Sequence, residues 1–483
     1  MALAIAGERS GVGKTTITLA LLAALARWGK IVQSFKVGPD YIDPLFHAAM
    51  TGRPCRNLDP VLTSEEYVRW CFTRHCQGAD FAIAEGVMGL FDGVAYSPFV
   101  GEKQRGDYAS TAHIARLLDI PVLLVIDCSR LSGSVAAIAQ GYCTFDPRVK
   151  IAGVVLNRVG SDRHQALLER ALEPLNLKIL GIIRRHDSIV LPERHLGLIP
   201  NGELEGFEEI GDRLVELART CFDWEQLFPL LQVRHKSERV EPFYCPISLD
   251  SSVISKLPQQ NSVQVKIAVA RDRAFNFYYQ DNLDLLEAWG AKLVPWSPLN
   301  DSKLPKGIQG LYFGGGFPEI FAAQLSDNQN ICATVRKAIE AQIPTYAECG
   351  GLMYLSQRIV DFNHRSWSMV GALPTDAIMS KRLSLGYRQA QTLQDSPLLS
   401  KAETVWGHEF HRSQLTSLST KPLFTIIQGL TSNNIASNNR VGEGWKTHQV
   451  HASYIHLHWG ERPQIPQRFL RHCLQFNSIA QVG

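Results

Sequence analysis

Ala2-Leu-Ala-Ile-Ala-Gly7-Glu-Arg-Ser-Gly11-Val-Gly13-Lys14-Thr15-Thr16 decides the fold of the first half of the chain. An apolar run of strand length ends in a glycine-rich turn, and a helical pattern follows from Thr15 to about Trp28. In this strand–loop–helix setting, glycines let backbone N–H groups curl around phosphate oxygens, and the helix N-terminus favours the anion. Gly11, Gly13 and Thr16 belong to that cradle. Lys14 is placed to neutralise β and γ phosphates, and Thr15 to ligate Mg²⁺. The spacing differs from the strict phosphate loop, because five residues, not four, separate Gly7 from Gly13.

Outward from this loop, strands are expected at Ile31–Val37, Ala79–Glu85, Pro121–Asp127 and Ile151–Asn157, with helical patterns such as Ser110–Leu118 and Arg163–Leu172 between them. The alternation predicts a parallel sheet covered by helices on both faces, with catalytic groups at the carboxyl ends of its strands. Two acidic clusters fall at such ends. Lys36-Val-Gly-Pro-Asp40-Tyr-Ile-Asp43 follows the second strand, and Glu85-Gly-Val-Met-Gly-Leu-Phe-Asp92 follows the third. Asp40, Asp43, Glu85 and Asp92 offer oxygen ligands for Mg²⁺ or for carboxylate activation, and Lys36 offers a phosphate contact. Taken singly, each acid reads as a turn or capping residue; their joint position beside the loop favours function. Asp127 ends another strand and ranks lower, as a metal or structural group.

The rhythm breaks over 234–263, a stretch rich in Pro, Ser and Gln that reads as a linker. It separates an expected synthetase domain, 1–233, from a second α/β domain, 264–483. In the second, strands are expected at Val265–Ala270, Ala291–Pro295, Gly310–Phe313 and Ile343–Ala347, with helices at Asn282–Trp289 and Ile331–Ala341. The polar run around 413–440 reads as loop-rich.

Tyr346-Ala-Glu-Cys349-Gly-Gly places a cysteine on a tight strand-to-helix turn, the arrangement of a nucleophile elbow. A helix N-terminus there is expected to lower the thiol pKa, and a histidine to complete its activation. Backbone amides at Gly315, Gly316 and Gly350 are candidates for an oxyanion hole. The histidine is sought in Ala452-Ser-Tyr-Ile-His456-Leu-His458-Trp, where a strand would put both imidazoles on one face; spacing does not choose between them.

The blocks SGVGKTT, KVGPDYIDP, EGVMGLFDG, LYFGGGFPE, YAECGGLMYL, GYR, GHEFH and ASYIHLHW, in that order, resemble the cobyrinic acid a,c-diamide synthase family over nearly the whole chain. The first half is also similar to dethiobiotin synthetase, whose glycine loop shares the five-residue spacing. The second resembles class I glutamine amidotransferases. The resemblance implies Cys349 as nucleophile and His456 as its base. It implies ATP, Mg²⁺ and glutamine, and amidation of the a and c acetate carboxylates of cobyrinate through acyl phosphates. Tyr41, Ile42, Tyr387, Arg388, His408 and His411 are the family-like corrinoid contacts; without the resemblance, His408 and His411 read as an exposed pair. Amidotransferase triads usually carry a glutamate two residues after the histidine, where this chain has His458, so a Cys–His dyad is expected.

Hydrogenobyrinate and nickel sirohydrochlorin are alternative substrates for the same chemistry. A partner-binding P-loop switch ATPase is the alternative from another class, and it leaves Cys349, Gly314–Gly316 and His456 without a task. A net charge of +3 argues against nucleic acid or a membrane surface as partner. Ten cysteines without paired CxxC units suit a reducing compartment. No segment reads as a signal or membrane span, so a cytoplasmic enzyme is expected, with a homodimer as the candidate assembly.

Overall fold

The opening apolar run forms β1 (Leu3–Gly7), every residue of it buried. The loop then feeds helix α1 (Lys14–Arg27), where Ile17 and Leu19–Leu25 are buried against the sheet. The remaining strands of this sheet are β2 (Val32–Val37), β3 (Arg56–Leu58), β4 (Phe81–Glu85), β5 (Val122–Asp127), β6 (Ile151–Val159) and β7 (Ile179–Arg184). Their order is β3-β2-β4-β1-β5-β6-β7, and every pairing is parallel. The chain moves to one side of β1 for β2 and to the other for β5, so ligands are expected at the strand ends where this order reverses. Register aligns Lys36 on β2 with Glu85 on β4, and Ile5 on β1 with the same Glu85. Helix α2 (Ile42–Thr51) begins just beyond β2. Two-residue strands β8 (Glu193–Arg194) and β9 (Gly197–Leu198) pair separately.

This is a computed structural model, and it describes residues 2–94, 106–185, 189, 191, 193–194, 197–198, 206–233, 264–431, 434–435 and 441–480. The chain divides into two units, Met1–Glu241 and Pro242–Gly483. The linker expected over 234–263 lies outside the described residues.

The second unit is built on β10 (Val265–Ala270), β11 (Ala291–Trp296), β12 (Gly310–Phe313), β13 (Thr345–Glu348), β14 (Arg358–Val360), β15 (Ser366–Ser368), β16 (Asp376–Thr392), β17 (Thr404–Leu415), β18 (Pro422–Thr431), β19 (Asn434–Ile435), β20 (Val441–Thr447) and β21 (Val450–Ser453). The order β11-β10-β12-β13-β21 is parallel. From β21 the sheet continues antiparallel through β20, β18 and β16, and β17 pairs with β16. The loop-rich reading of 413–440 is therefore corrected: β17 and β18 carry ladder hydrogen bonds through much of it. Helices Gln280–Ala288 and Gln329–Glu340 cover the parallel half. Phe313, Tyr354, Leu352 and Val335 lie in one buried cluster, and Tyr312, Tyr346, Trp459 and Phe469 in another. Among the described residues, no helix is long and apolar enough to cross a membrane.

Candidate active sites

The glycine loop takes its shape from contacts only glycine permits. Gly11 and Gly13 have φ of 77° and 99°. A Cβ on Gly13 would stand 2.5 Å from Nδ2 of Asn157, whose amide donates to the Val12 carbonyl at 2.8 Å. Asn157 thus clamps the loop from the end of β6, a role that a lone asparagine at a strand end did not signal in sequence.

Lys14 and Thr15 open α1, followed by Thr16. The Lys14 ammonium bonds to the carbonyls of Arg9 at 3.2 Å and Met88 at 2.5 Å. Burial, then the neighbouring Lys36 charge, brings its pKa down to about 8. The Thr15 hydroxyl reaches Glu85 Oε1 at 2.6 Å and Asp43 Oδ2 at 3.4 Å. Lys36 Nζ lies 2.6 Å from Asp43, 3.0 Å from Glu85 and 3.8 Å from Asp40. Burial opposes that ammonium, but Asp43, Glu85 and Asp40 outweigh it and hold Lys36 charged.

Four of the expected residues, Thr15, Lys36, Asp43 and Glu85, therefore meet at one point. Asp40 is at the edge of the group, where its Oδ1 accepts from the N–H groups of Ile42 and Asp43 and so caps α2. Tyr41 and Ile42, at the start of that helix, are buried. Asp92 closes a turn by accepting from Gly89 N–H at 2.8 Å, and only its charge acts on Lys14.

Burial, Asp40 and Glu85 push the Asp43 carboxyl up to about 7 against the pull of Lys36. Burial also opposes the Glu85 charge, yet Lys36, His47 and Thr15 keep it well below the usual carboxylate range. His47 was not anticipated. Its Nε2 lies 2.7 Å from Glu85 Oε2, and both side chains are fully buried. The sequence clue was its place one helical turn beyond Asp43. Asp127 pairs with Arg158 at 2.6 Å and Arg9 at 3.1 Å, as a structural ion pair would. It lines a cleft of about 420 Å³ with Glu8, Arg9, Ser129, Arg130 and Leu131.

In the second unit Cys349 follows the last residue of β13 and precedes the helix Gly350–Leu355. Its φ of 46° and ψ of −99° are strained for a residue with a Cβ. The backbone is held on both sides, because Cys349 N–H donates to Ser453 O at 2.8 Å and Met353 N–H donates to Cys349 O at 3.0 Å. The expected lowering of the thiol pKa is corrected. Burial and the nearby Glu319 charge push it up, and one Gly350 amide at the head of a six-residue helix does not offset them.

Gly315 lies against His456: a Cβ there would stand 2.6 Å from the ring Cε1 and 3.5 Å from Nε2. A Cβ on Gly350 would stand 3.1 Å from Gly316 N, so these three glycines pack together beside the cysteine turn. The single-face reading of the two histidines is also corrected. β21 ends at Ser453, and His456 lies beyond it in a bridge to His408. His456 Nδ1 faces Glu348 Oε2 at 3.6 Å, whereas His458 Nε2 turns to Asp281 at 3.9 Å.

Tyr387 and Arg388 lie on β16, and His408 and His411 on β17. His408 and His411 are 5% and 6% exposed, which overturns the exposed-pair reading. Three residues apart on a strand, they point to opposite faces. His411 stacks on Tyr454 with ring centroids 3.8 Å apart, and His408 meets Tyr387 edge-on. Burial, then His456 and Arg388, keep His408 neutral, with a pKa of about 3. Arg388 pairs with Glu409 at 2.7 Å.

The parallel-sheet unit with its glycine loop and the cysteine unit with its elbow define a nucleotide-using glutamine amidotransferase. A family model described as "CobQ/CobB/MinD/ParA nucleotide binding domain" matches residues 3–199, and one described as "CobB/CobQ-like glutamine amidotransferase domain" matches residues 266–464. A cobyrinate a,c-diamide synthase of Synechococcus sp. is 55% identical over 100% of both chains. One of Synechocystis sp. is 51% identical over 99% of this chain and 94% of its own. A hydrogenobyrinate a,c-diamide synthase of Streptomyces coelicolor is 40% identical, covering 98% and 97%. The chain belongs to the cobyrinate a,c-diamide synthase family.

Proposed function

We propose that this chain uses ATP and glutamine to convert the a- and c-acetate carboxylates of cobyrinate into amides, a step of cobalamin biosynthesis. The carrying observation is the coexistence, in one chain, of the Lys14–Thr15–Lys36–Glu85 cluster and the Cys349–His456 elbow. The 55% identity to a cobyrinate synthase, against 40% to a hydrogenobyrinate synthase, favours cobyrinate over its metal-free counterpart. Residues 1–233 carry the synthetase, 234–263 the linker and 264–483 the glutaminase. The enzyme works in the cytoplasm, and a homodimer is its proposed assembly.

In the second unit His456 takes the thiol proton as Cys349 sulfur attacks the side-chain carbonyl of glutamine. The raised thiol pKa means that the proton leaves during attack rather than beforehand. Amides of Gly315, Gly316 and Gly350 receive the developing oxyanion. Ammonia departs with the proton from His456, and water then frees glutamate from the thioester.

In the first unit Gly11, Gly13 and Thr16 cradle the phosphates of ATP. Lys14 gives up its carbonyl partners and follows the transferred phosphoryl group. Lys36 draws the substrate carboxylate towards the γ-phosphate. The substrate oxygen displaces ADP, and ammonia then displaces phosphate from the acyl phosphate. The convergence of the Thr15 hydroxyl with Asp43 and Glu85 oxygens suits a hard cation. Those three residues, with Asp40 and Asp92 nearby, would hold Mg²⁺, which shields phosphate charge. Tyr41, Ile42, Tyr387, Arg388, His408 and His411 are the proposed corrinoid contacts; the burial of the last two limits them to shaping the surface from beneath.

Cobyrinate labelled with ¹⁸O in its carboxylates tests the reading. With ATP, Mg²⁺ and glutamine, mass spectrometry should find two successive amides and label in inorganic phosphate. Label in AMP would overturn the acyl phosphate. Amides formed from hydrogenobyrinate or nickel sirohydrochlorin, but not from cobyrinate, would overturn the substrate.

A further inference from the structure

We infer that Glu348 is the acid partner of His456, and that it holds the imidazole in the tautomer whose Nε2 is unprotonated and takes the Cys349 proton. This rests on the Cys349–His456 reading above. Glu348 is the last residue of β13, immediately before the nucleophile, and its side chain and that of His456 are each 1% exposed. One carboxylate oxygen is filled from two sides, by the Tyr346 hydroxyl and by Leu457 N–H at 3.2 Å. The other, Oε2, has no hydrogen bond among the described residues and faces His456 Nδ1 at 3.6 Å.

A buried carboxylate is costly unless it is paired, and here the group within reach of its second oxygen is the imidazole. The ring's far side, with Cε1 and Nε2, turns towards the Gly315 loop. Two residues beyond His456, where a triad acid would stand, His458 is engaged with Asp281 instead. The acid is thus supplied from the nucleophile's own strand.

The proton balance is simple. The Cys349 S–H bond breaks and an Nε2–H bond forms. The imidazolium keeps its Nδ1–H towards Glu348, and the Nε2 proton passes to the nitrogen that leaves as ammonia. Glu348 touches no substrate, so it is a positioning residue.

Glu348→Gln isolates this role. The amide oxygen still serves Tyr346 and Leu457, while the NH₂ group turns to Nδ1. A donor there makes Nδ1 an acceptor and puts the ring proton on Nε2, the wrong tautomer for a base. The kcat for glutamine hydrolysis should fall on the order of 10²- to 10⁴-fold, with KM within about threefold of wild type. Glu348→Asp, which keeps the charge, should recover at least about tenfold over Glu348→Gln. Ammonia-dependent amidation belongs to the other unit and should continue in both. A wild-type kcat in Glu348→Gln, or Asp no better than Gln, would overturn the role of Glu348 alone. Glutamine-dependent synthesis by Cys349→Ala would instead overturn the reading on which it rests.

Discussion

The two sites solve opposite electrostatic problems. In the first unit, ammonium and carboxylate groups are packed within hydrogen-bond distance of one another: Lys36 with Asp43 and Glu85, Glu85 with His47 and Thr15. The cluster is charged in advance of its ligand, as suits a reaction whose barrier is a transferred, multiply charged phosphoryl group. In the second unit burial works against charge at the cysteine turn. The Cys349 thiol is pushed up, His408 is pushed down, and the Cys349 backbone is held in a strained conformation. On the proposed roles, preformed charge would serve phosphate, and a buried, strained elbow would serve attack on a neutral amide.

The sharpest way to break this contrast is to remove one reactive group from each side. Cys349→Ala should cut glutamine-dependent synthesis on the order of 10⁴-fold or more and leave ammonia-dependent synthesis standing. Lys14→Ala should cut synthesis from either nitrogen source on the order of 10³-fold, because phosphoryl transfer loses its cation. Glutamine hydrolysis by Lys14→Ala should remain measurable. Steady-state assays with glutamine and with ammonium salts check both. Equal losses across nitrogen sources in Cys349→Ala would show that the sites are not separable.

What could be read in sequence follows from how local each feature is. Lys36, Asp43 and Glu85 were legible because short motifs fix them to strand ends, and parallel sheets gather such ends. Cys349 was legible because the turn that strains it is written in its flanking glycines. Glu348 was not, since its pairing depends on β13 lying beside β21, roughly a hundred residues away in sequence, with Glu348 opposite Ser453. The Ser- and Thr-rich edges of β17 and β18 hid strands because an antiparallel sheet tolerates a polar face, so composition mimicked a loop. The thiol was misjudged because a helix N-terminus is visible in sequence, whereas full burial beside Glu319 is not.

A smaller effect sharpens the claim of stored strain. Cys349→Gly should be more stable than Cys349→Ala by about 1 kcal/mol, since relief of a positive φ outweighs the added freedom of glycine in the unfolded chain. Scanning calorimetry should place the second unit's transition about 2–4 °C higher in the glycine variant. Equal transitions would mean that the elbow is relaxed.

The smallest effect tests the charged side. Burial and Lys36 lower free Lys14 to about 8, so at pH 9 roughly one-tenth of it carries charge. The β and γ phosphates of ATP favour the ammonium and return its pKa to the alkaline range. Binding at pH 9 should therefore take up close to one proton, whereas near pH 7 Lys14 is already charged and takes up about a tenth of one. ATP is fully ionised at pH 9 and releases nothing that would mask the uptake. Lys36 stays charged throughout, because Asp43, Glu85 and Asp40 hold its pKa above the usual value despite burial. Calorimetric titrations of ATP in buffers of different ionisation enthalpy measure the proton count. Lys14→Arg, charged at every accessible pH, should bind without uptake. Absence of uptake by the wild-type protein at pH 9, or the same uptake in Lys14→Arg, would mean that Lys14 is already protonated before ATP arrives, and that burial and the Lys36 charge do not depress it.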